Sequence, residues 1–460
     1  MKKDILYLES PWKRIHAFQG LIQKAEKNII LQMYLFSGNG ELATLKPVEN
    51  VFPWAHTVAS LLSEKKKNFP NMNILVILDT QTVENPERTF KKKYPLARHI
   101  LEEAGISVVS ASLKETFYNE KRSFPESAAF HRNWSNERNG KLFSKQEWAY
   151  RQNIWQTLQN TEDHRKNIVI DSGKVGIMFS HNIIDQAYHW NENTFLLRGK
   201  HSHDLWRLAL DSAENAFSLP VAFSEEDIRI KEWILQEKAE FKLHKNNDDK
   251  KNYFSEDRNG NRILSSGPEI HGEILNEIRN AEKNEVTEIL AASAYFSDPL
   301  TLNELRKAGE KCKVRILTDN CHALPLNFIL RVILRNTVNL FCIDSCRRSE
   351  RVTLRLFPSS PKEMMHCKAI AFLGRERKLI AGQANFTPNS FSGAWLETSI
   401  YIKDEKIINQ FIRQFEKLWN RSEEVHRYNE MNFIEKIFRK IHASVFFLFL
   451  KIMGLAGLRY

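Results

Sequence analysis

Two short stretches of the sequence carry the same chemically reactive side chains in the same order. Each contains His-x-Lys, then an Asn, then the Glu of a Trp-x-Glu triplet; the residues are His164, Lys166, Asn182 and Glu192 in the first stretch and His366, Lys368, Asn385 and Glu397 in the second. The Asn follows the His by 18 residues (182 − 164) and by 19 (385 − 366), and the Glu follows the Asn by 10 (192 − 182) and by 12 (397 − 385). A single His-x-Lys is most often an ordinary surface pair, but four spaced polar residues that recur indicate a duplicated functional unit.

The apolar runs around each His-x-Lys predict a β-hairpin that positions these side chains. Residues 168–170 and 369–372 are apolar and follow the Lys closely, which is typical of strands. Residues i and i+2 of a strand project from the same face, so each His and its Lys would point into one site. A second apolar run, at 175–179 or 379–381, precedes each Asn, so the hairpin would return the amide to the side of the imidazole.

A site that combines two imidazoles, two ammonium groups and two amides suits a phosphodiester. The lysines and the Asn amides would donate hydrogen bonds to the non-bridging oxygens and stabilise the charge that develops in the transition state. One neutral imidazole would attack phosphorus and form a phospho-histidine, and the other, protonated, would give its proton to the leaving alkoxide; the roles reverse when an alcohol or water arrives. Glu192 and Glu397 would hold the imidazoles in the required tautomer. Because the lysines supply the positive charge, we expect neither a metal ion nor a cofactor.

The two stretches resemble the paired H-x-K-x4-D motifs of the phospholipase D superfamily, in particular those of the bacterial cardiolipin synthases and related phosphatidyltransferases. His164, Lys166 and Asp171 match the motif in full, whereas Leu373 stands in place of the second Asp. The Gly and Ser that usually precede the Asn are only partly kept, which bears on substrate choice. The resemblance implies two duplicated phospholipase D-like α-β-α sandwich domains with the active site at their interface. It also implies that His164 is the nucleophile, that His366 is the general acid and base, and that Asp171 has a structural role.

Composition places the chain among globular proteins that are attracted to polyanions. The 460 residues are 42% hydrophobic and 27% charged, with a net charge of +11 and a pI near 9.2. Anionic lipid headgroups and nucleic acid suit this charge equally, and the 29 Phe and 10 Trp favour lipid. The five cysteines are an odd number without metal-ligand spacing, which indicates free thiols in a reducing compartment. The N-terminus has no apolar segment before Pro11, so we expect no secretory signal peptide.

Further repeats predict two α/β domains of the same build. The tetrapeptide Ala-Glu-Lys-Asn occurs at 25–28 and at 281–284, each time between a helical pattern and an apolar strand. Both halves are predicted to have a strand ending in Asp, a helix before it, a later short strand and a closing helix: 74–79, 55–66, 106–111 and 205–217 in the first half, and 314–319, 302–311, 338–343 and 407–419 in the second. We therefore assign residues 1–225 to a first domain, 226–262 to a charged, exposed connector and 263–425 to a second domain, with the sheets meeting edge to edge at the histidines.

Two segments outside this repeat have more than one interpretation. The aromatic insert at about 119–160 is predicted to pack against the first domain as a helical excursion; the alternative is a lid over the site. The tail, 426–460, combines an amphipathic basic pattern with a mostly apolar stretch of 16 residues at 443–458, fewer than the ~20 that span a bilayer. We expect this C-terminal helix to lie in the headgroup region of an anionic membrane; the alternative is a helix docked on the protein.

The sequence thus predicts a phosphatidyl-transferring enzyme at the cytoplasmic face of a membrane, with phospholipid substrates and without a nucleic acid partner. Three alternatives stay open: a phospholipase D that hydrolyses phospholipids to phosphatidic acid, a phosphodiesterase or nuclease of the same superfamily, and a non-catalytic lipid-binding scaffold. The acceptor alcohol, the donor lipid and the oligomeric state are open as well.

Overall fold

The computed structural model describes residues 3–39, 41, 48–79, 96–111, 162–218, 223–243, 254–320, 350–360, 362–391, 393 and 395–425. The aromatic insert, the tail, the strand predicted at 338–343 and the middle of the connector (244–253) lie outside these residues, and what the sequence predicts for them stays a prediction. Within the described residues, two mixed sheets with helices packed on them confirm the predicted α/β class with a duplicated build.

The described part of the first half contains a seven-stranded sheet and a separate two-stranded sheet. Its strands β1 to β10 are Ile5–Tyr7, Asn28–Met33, Phe36–Ser37, Asn73–Asp79, Ser107–Ala111, Glu162–Asp163, Asn167–Ile170, Val175–Phe179, Ile183–Ile184 and Thr194–Arg198. Its helices α1 to α5 are Pro11–Lys24, Trp54–Asn68, Leu96–Glu103, Lys200–Phe217 and Glu225–Leu243. The larger sheet has the order β1-β10-β8-β7-β2-β4-β5; β2, β4 and β5 run parallel, and β7 and β8 are the predicted hairpin.

The second half repeats this arrangement. Its strands β11 to β19 are Arg262–Leu264, Glu288–Ser293, Lys313–Asp319, Val352–Phe357, Lys368–Leu373, Lys378–Gly382, Trp395–Leu396, Ser399–Ile402 and Glu423–Glu424. Its helices α6 to α9 are Gly267–Arg279, Pro299–Ala308, Pro388–Phe391 and Glu405–Asn420. The sheet has the order β11-β18-β16-β15-β12-β13-β14-β19; β12, β13 and β14 run parallel, and β15 and β16 form the second hairpin. The third parallel strand is thus β14, whose alternating sequence the sequence analysis did not single out.

The same local signals start matching helices in the two halves. α1 begins after Ser10, whose hydroxyl accepts a hydrogen bond from the backbone of Lys13, and α6 begins after Ser266, which accepts from Glu269. A proline in the first turn of each helix suits a position where a backbone N–H has no helical partner. The two N-caps are 256 residues apart, as are the two copies of Ala-Glu-Lys-Asn (266 − 10, 281 − 25). Duplication therefore extends from the sequence to the capping geometry.

The two halves share one hydrophobic core. It contains residues of both sheets together with the inner faces of α4 and α9, for example Ile30, Leu290 and Phe411. Among the described residues, no strand of one sheet pairs with a strand of the other, so the sheets do not meet edge to edge as expected. They are linked instead by the parallel pair β6–β17 and by a bridge between Asn191 and Met365.

The predicted connector begins as a helix. In α5, Ile230 and Ile234 are buried against the first half, and Lys66 forms a salt bridge with Glu226 at 2.9 Å. Two buried positions one turn apart are enough to dock a helix on a formed core. So short an apolar stripe is difficult to recognise among the many charged residues of this segment. The domain boundaries themselves stay a prediction.

Candidate active site

The hairpins place each His and its Lys together, as the strand periodicity predicted. Lys166 directly precedes β7 and Lys368 opens β15, and both side chains are almost completely buried. Lys166 Nζ lies 3.1 Å from Nδ1 of His164. Lys368 Nζ lies 2.7 and 2.9 Å from the two ring nitrogens of His366. Two lysines are thus held out of bulk water beside two imidazoles that are 12% and 11% exposed.

Each imidazole is held by the carboxylate of the opposite half. Nδ1 of His164 is 3.1 Å from Oε1 of Glu397, and Nδ1 of His366 is 2.7 Å from Oε1 of Glu192. An ionised carboxylate only accepts, so in both pairs Nδ1 donates and Nε2 faces away from the carboxylate, that of His366 towards Lys368. The sequence suggested both glutamates but gave no sign of this crossed pairing.

Backbone hydrogen bonds also join the two halves at these histidines. The N–H of His164 donates to the carbonyl of Leu396 at 3.0 Å, and that of His366 donates to the carbonyl of Asn191 at 2.9 Å. In both cases the acceptor is the residue immediately before the glutamate that holds the imidazole. The tryptophan of each Trp-x-Glu also lies against the opposite imidazole: Trp395 stacks on His164 with ring centroids 4.7 Å apart, and the centroid of Trp190 is 5.1 Å from that of His366.

Several residues that the sequence analysis missed support these pairs. Ser180 donates to Oε2 of Glu192, and Ser390 donates to Oε1 of Glu397 at 3.0 Å. Arg14, buried on α1, donates through Nη2 to the carbonyls of Tyr188 and Trp190, at 3.1 and 2.9 Å. Ser180 could have been found as the Ser that commonly precedes the motif Asn, but nothing near Arg14 in the sequence marked it.

The remaining predicted residues lie at the ends of the hairpins. Asn182 accepts the backbone N–H of Leu35 through Oδ1 at 3.1 Å, which turns its amide nitrogen away from that contact. Asn385 is buried, and its Oδ1 has no hydrogen-bond partner among the described residues. Asp171 lies at the far end of β7, where its Oδ1 accepts the backbone N–H groups of Glu26 and Lys27 at 2.9 and 2.8 Å. In the described structure, neither Asn forms a hydrogen bond to the His or Lys side chains of the two motifs, so the phosphate-binding role of Asn182 and Asn385 stays a prediction.

Burial and mutual repulsion shift the pKa values of the cationic groups downwards. Burial, reinforced by Lys166, lowers the pKa of His164 to about 4 against the opposing charge of Glu397. Burial lowers the pKa of Lys166 to about 8 and that of Lys368 to about 7, and it also lowers the pKa of His366.

The pKa of Glu192 is lowered, which favours the ionised form of its carboxylate. Burial opposes its ionisation, but His366 and Lys368 outweigh burial and lower the pKa of Glu192 to about 2. By contrast, burial raises the pKa of the Cys367 thiol to about 12, which agrees with a core role and not with a nucleophile. The site thus holds a Glu192 carboxylate that favours its ionised form beside two amines whose pKa values are lowered.

This arrangement suits an anionic phosphodiester. Buried ammonium groups with lowered pKa values gain most from an incoming anion, because it restores their charge where water is excluded. Two imidazoles with oriented Nε2 atoms provide a nucleophile and a proton donor. In the described part of the chain, no group of three or more His, Cys, Asp or Glu side chains has the arrangement of a metal site.

Comparisons with known proteins give one family match and several similar folds. The family model "Cardiolipin synthase, PLD-like domain" matches residues 274–419, which include the second His-x-Lys. No curated protein sequence matches the chain. Phosphatidylserine synthase of Haemophilus influenzae Rd KW20 superposes with a TM-score of 0.60 at 13% identity, over 99% of this chain and 95% of that protein.

Two further solved structures match over less of the fold. Polyphosphate kinase of Porphyromonas gingivalis has a TM-score of 0.47 at 12% identity, over 90% of this chain and 49% of that one. The phospholipase D family member Nuc of Salmonella typhimurium has a TM-score of 0.28 at 18% identity, over 36% of this chain and 99% of that one. At sequence identities this low, structural similarity indicates a shared fold and nothing further. Residues 274–419 are thus similar to the phospholipase D-like domain of cardiolipin synthases, and the two-lobed fold of the chain is similar to that of phosphatidylserine synthase.

Proposed function

We propose that the protein transfers a phosphatidyl group from a phospholipid to an alcohol through a covalent phospho-histidine, in the manner of a cardiolipin synthase. The observation that carries this proposal is the crossed pairing of His164 with Glu397 and of His366 with Glu192. It presents two imidazoles with the same tautomer, each beside a buried lysine, where the halves of the chain meet. A lone lipid-binding surface has no need of such a pair.

The chemistry divides into two displacements at phosphorus. Nε2 of His164 attacks phosphorus, the bond from phosphorus to the leaving alkoxide breaks, and this oxygen takes the proton from Nε2 of His366. The neutral His366 then takes the proton of the acceptor hydroxyl, whose oxygen attacks phosphorus and releases His164. Glu397 and Glu192 keep the two Nδ1 atoms as donors throughout.

The electrostatics favour His164 as the nucleophile. A pKa of about 4 leaves this imidazole neutral, and therefore nucleophilic, at neutral pH. The bound phosphodiester places a negative charge beside Lys166 and Lys368 and raises their pKa values, so that both remain protonated while charge accumulates on the phosphate oxygens. The same anion favours the protonated form of His366, which the first step requires.

Attachment to a membrane is the second part of the proposal. In the described residues no helix is long and apolar enough to span a bilayer. A phospholipid substrate and the net charge of +11 nevertheless favour work at an anionic surface. We assign this contact to the tail, 426–460, and place the enzyme at the cytoplasmic face. Loss of 426–460 should release the protein from anionic liposomes; pelleting equal to that of the full chain would remove the tail from the proposal.

Mass analysis of lipids after incubation with mixed phospholipid donors and alcohol acceptors tests the activity. We expect a phosphatidyl product that contains the acceptor, its loss in His164→Ala, and its retention in Asp171→Ala, which alters a carboxylate at the far end of β7. Phosphatidic acid alone would identify a phospholipase D. Cleavage of oligonucleotides without lipid turnover would identify a nuclease, and no turnover of either would leave a scaffold.

A further inference from the structure

Each half of the site contains a buried carboxylate for which the mechanism above has no role. Asp79 is the last residue of β4 and Asp319 is the last residue of β13. Their side chains are 1% and 0% exposed. The sequence marked both positions as strand ends but offered no reason for an acid there.

These two carboxylates accept matching backbone hydrogen bonds. Oδ2 of Asp79 accepts the N–H of Asp163 at 3.0 Å, and Oδ2 of Asp319 accepts the N–H of Met365 at 2.8 Å. In each half the donor is the residue immediately before the histidine of the His-x-Lys. Two equivalent bonds, at equivalent positions of a duplicated fold, indicate a shared purpose.

The backbone at each histidine is therefore fixed by two successive N–H groups, one bonded to an acceptor in the same half of the chain and the other to an acceptor in the opposite half. The amide before His164 is held by Asp79 of its own half, and the amide of His164 itself is held by Leu396 of the other half. His366 is fixed in the same way, by Asp319 and by Asn191. Together the two bonds set the direction of the backbone at the point where the imidazole leaves it.

Burial strengthens the dependence of each aspartate on the backbone hydrogen bond that it accepts. A buried carboxylate is destabilised unless hydrogen bonds satisfy it, and a bond to an ionised acceptor is stronger than one to a neutral acceptor. The negative charge of Asp79 also favours the charged form of Lys166. An asparagine would keep the acceptor atom and lose the charge, which makes the two contributions separable.

We propose that Asp79 and Asp319 are a pair of positioning residues that direct His164 and His366 towards one phosphorus atom. This inference rests on the proposed function, because it assumes that both imidazoles act on the same phosphate. Small displacements of a reacting group lower the rate far more than they lower affinity. Loss of the acceptor should therefore act on kcat and leave KM nearly unchanged.

The test compares Asp79→Ala and Asp319→Ala with Asp79→Asn and Asp319→Asn in the full chain. With a short-chain phosphatidylcholine as substrate, whose leaving alkoxide needs the proton of His366, we expect kcat to fall about tenfold or more in the alanine variants, with KM changed less than about threefold. The asparagine variants should retain most of kcat. The matched control is Asp171→Ala, which removes a carboxylate that accepts two backbone N–H groups seven residues after His164 (171 − 164), roughly 20 Å along an extended chain, and should keep its rate per folded molecule.

A substrate-free measurement separates this inference from the proposed function. The Nδ1 proton and nitrogen resonances of His164, recorded by NMR with and without inorganic phosphate, should shift in Asp79→Ala and not in Asp171→Ala. If the wild-type protein cleaves no phosphodiester, the proposed function fails and these resonances alone decide the inference. Wild-type rates or unshifted resonances in a folded Asp79→Ala would overturn it. If the alanine variants do not fold, a folded but inactive asparagine variant would overturn it equally, and an active one would support it.

Discussion

Replacing Glu397 by glutamine should change the titration of His164, in the other half of the chain, and leave that of His366 as it is. Glutamine keeps the shape and the acceptor oxygen of the side chain and removes its charge. Because the charge of Glu397 raises the pKa of His164, its loss should lower that pKa below about 4. Glu192→Gln should lower the pKa of His366 in the same sense, since Glu192 raises it.

The rate effect follows from the strength of the hydrogen bonds. Both glutamates are fully buried, so solvent screens neither pair. A hydrogen bond contributes about 1.5–3 kcal/mol when it involves a charged group and about 0.5–1.5 kcal/mol when both partners are neutral, so removing only the charge should cost about 1–1.5 kcal/mol, and kcat/KM for lipid substrates should fall about 5- to 13-fold in either variant. The two variants should differ in how strongly their loss of rate depends on the leaving group of the substrate. Glu192→Gln impairs the proton donor and should matter little for 4-nitrophenolate, which leaves without a proton, whereas Glu397→Gln impairs the nucleophile and should slow all substrates alike.

Imidazole titrations by NMR and rates with lipid and nitrophenyl substrates measure these effects. Ser390→Ala provides a control that weakens the support of Glu397 without removing its charge. A shift of His366 in Glu397→Gln, with His164 unchanged, would mean that carboxylates pair within their own half. The crossed arrangement, and the proposal that depends on it, would then be wrong.

Two further predictions concern pH and the support of Glu192. With bis(4-nitrophenyl) phosphate, whose leaving group needs no proton, the kcat/KM of the free enzyme should rise with pH through about 4, as His164 becomes neutral, and fall through about 7, as Lys368 loses the proton that binds phosphate. With lipid substrates the fall should begin at lower pH, because the leaving alkoxide needs the proton of His366, whose pKa burial lowers. An alkaline limb near 10 in a pH–rate profile would contradict the lowered pKa of Lys368. Arg14→Met should lower kcat/KM by about tenfold, because the carbonyls before Glu192 lose their donor. Ile270→Met, at the matching position 256 residues on, is its control, and an equal loss in both variants would point to general destabilisation.

The sequence predicted those parts of the site that depend on neighbours along the chain. The i, i+2 relation of His164 and Lys166, the hairpin return and the repeated helix–strand units follow from periodicities of a few residues. The partner of His164, by contrast, lies 233 residues away (397 − 164) on the other half. Its identity depends on how two formed domains pack, and no local pattern encodes that. The same limit explains why Arg14 and the docking of α5 were missed.

The two pairs are supported by residues that the twofold repeat does not share, Ser390 beside Glu397 being one. Arg14 and Ser180 support the Glu192–His366 pair, and their counterparts in the second half are Ile270 and Gln383, which cannot act in the same way. The histidines therefore occupy different surroundings despite their common origin. A difference of this kind is what two distinct roles require, since a nucleophile must be neutral where a proton donor must be charged.

A trapping experiment decides which histidine has which role. In His366→Ala, the neutral His164 should still displace a good leaving group such as 4-nitrophenolate, which needs no proton. The second step should stall, because no base remains to activate the acceptor hydroxyl. The phosphorylated protein should therefore accumulate, with the phosphoryl group mapped by mass spectrometry to His164, while His164→Ala should show none. A phosphoryl group found on His366 in the second variant, with none on His164 in the first, would exchange the two roles and contradict the link between the low pKa of His164 and its attack on phosphorus.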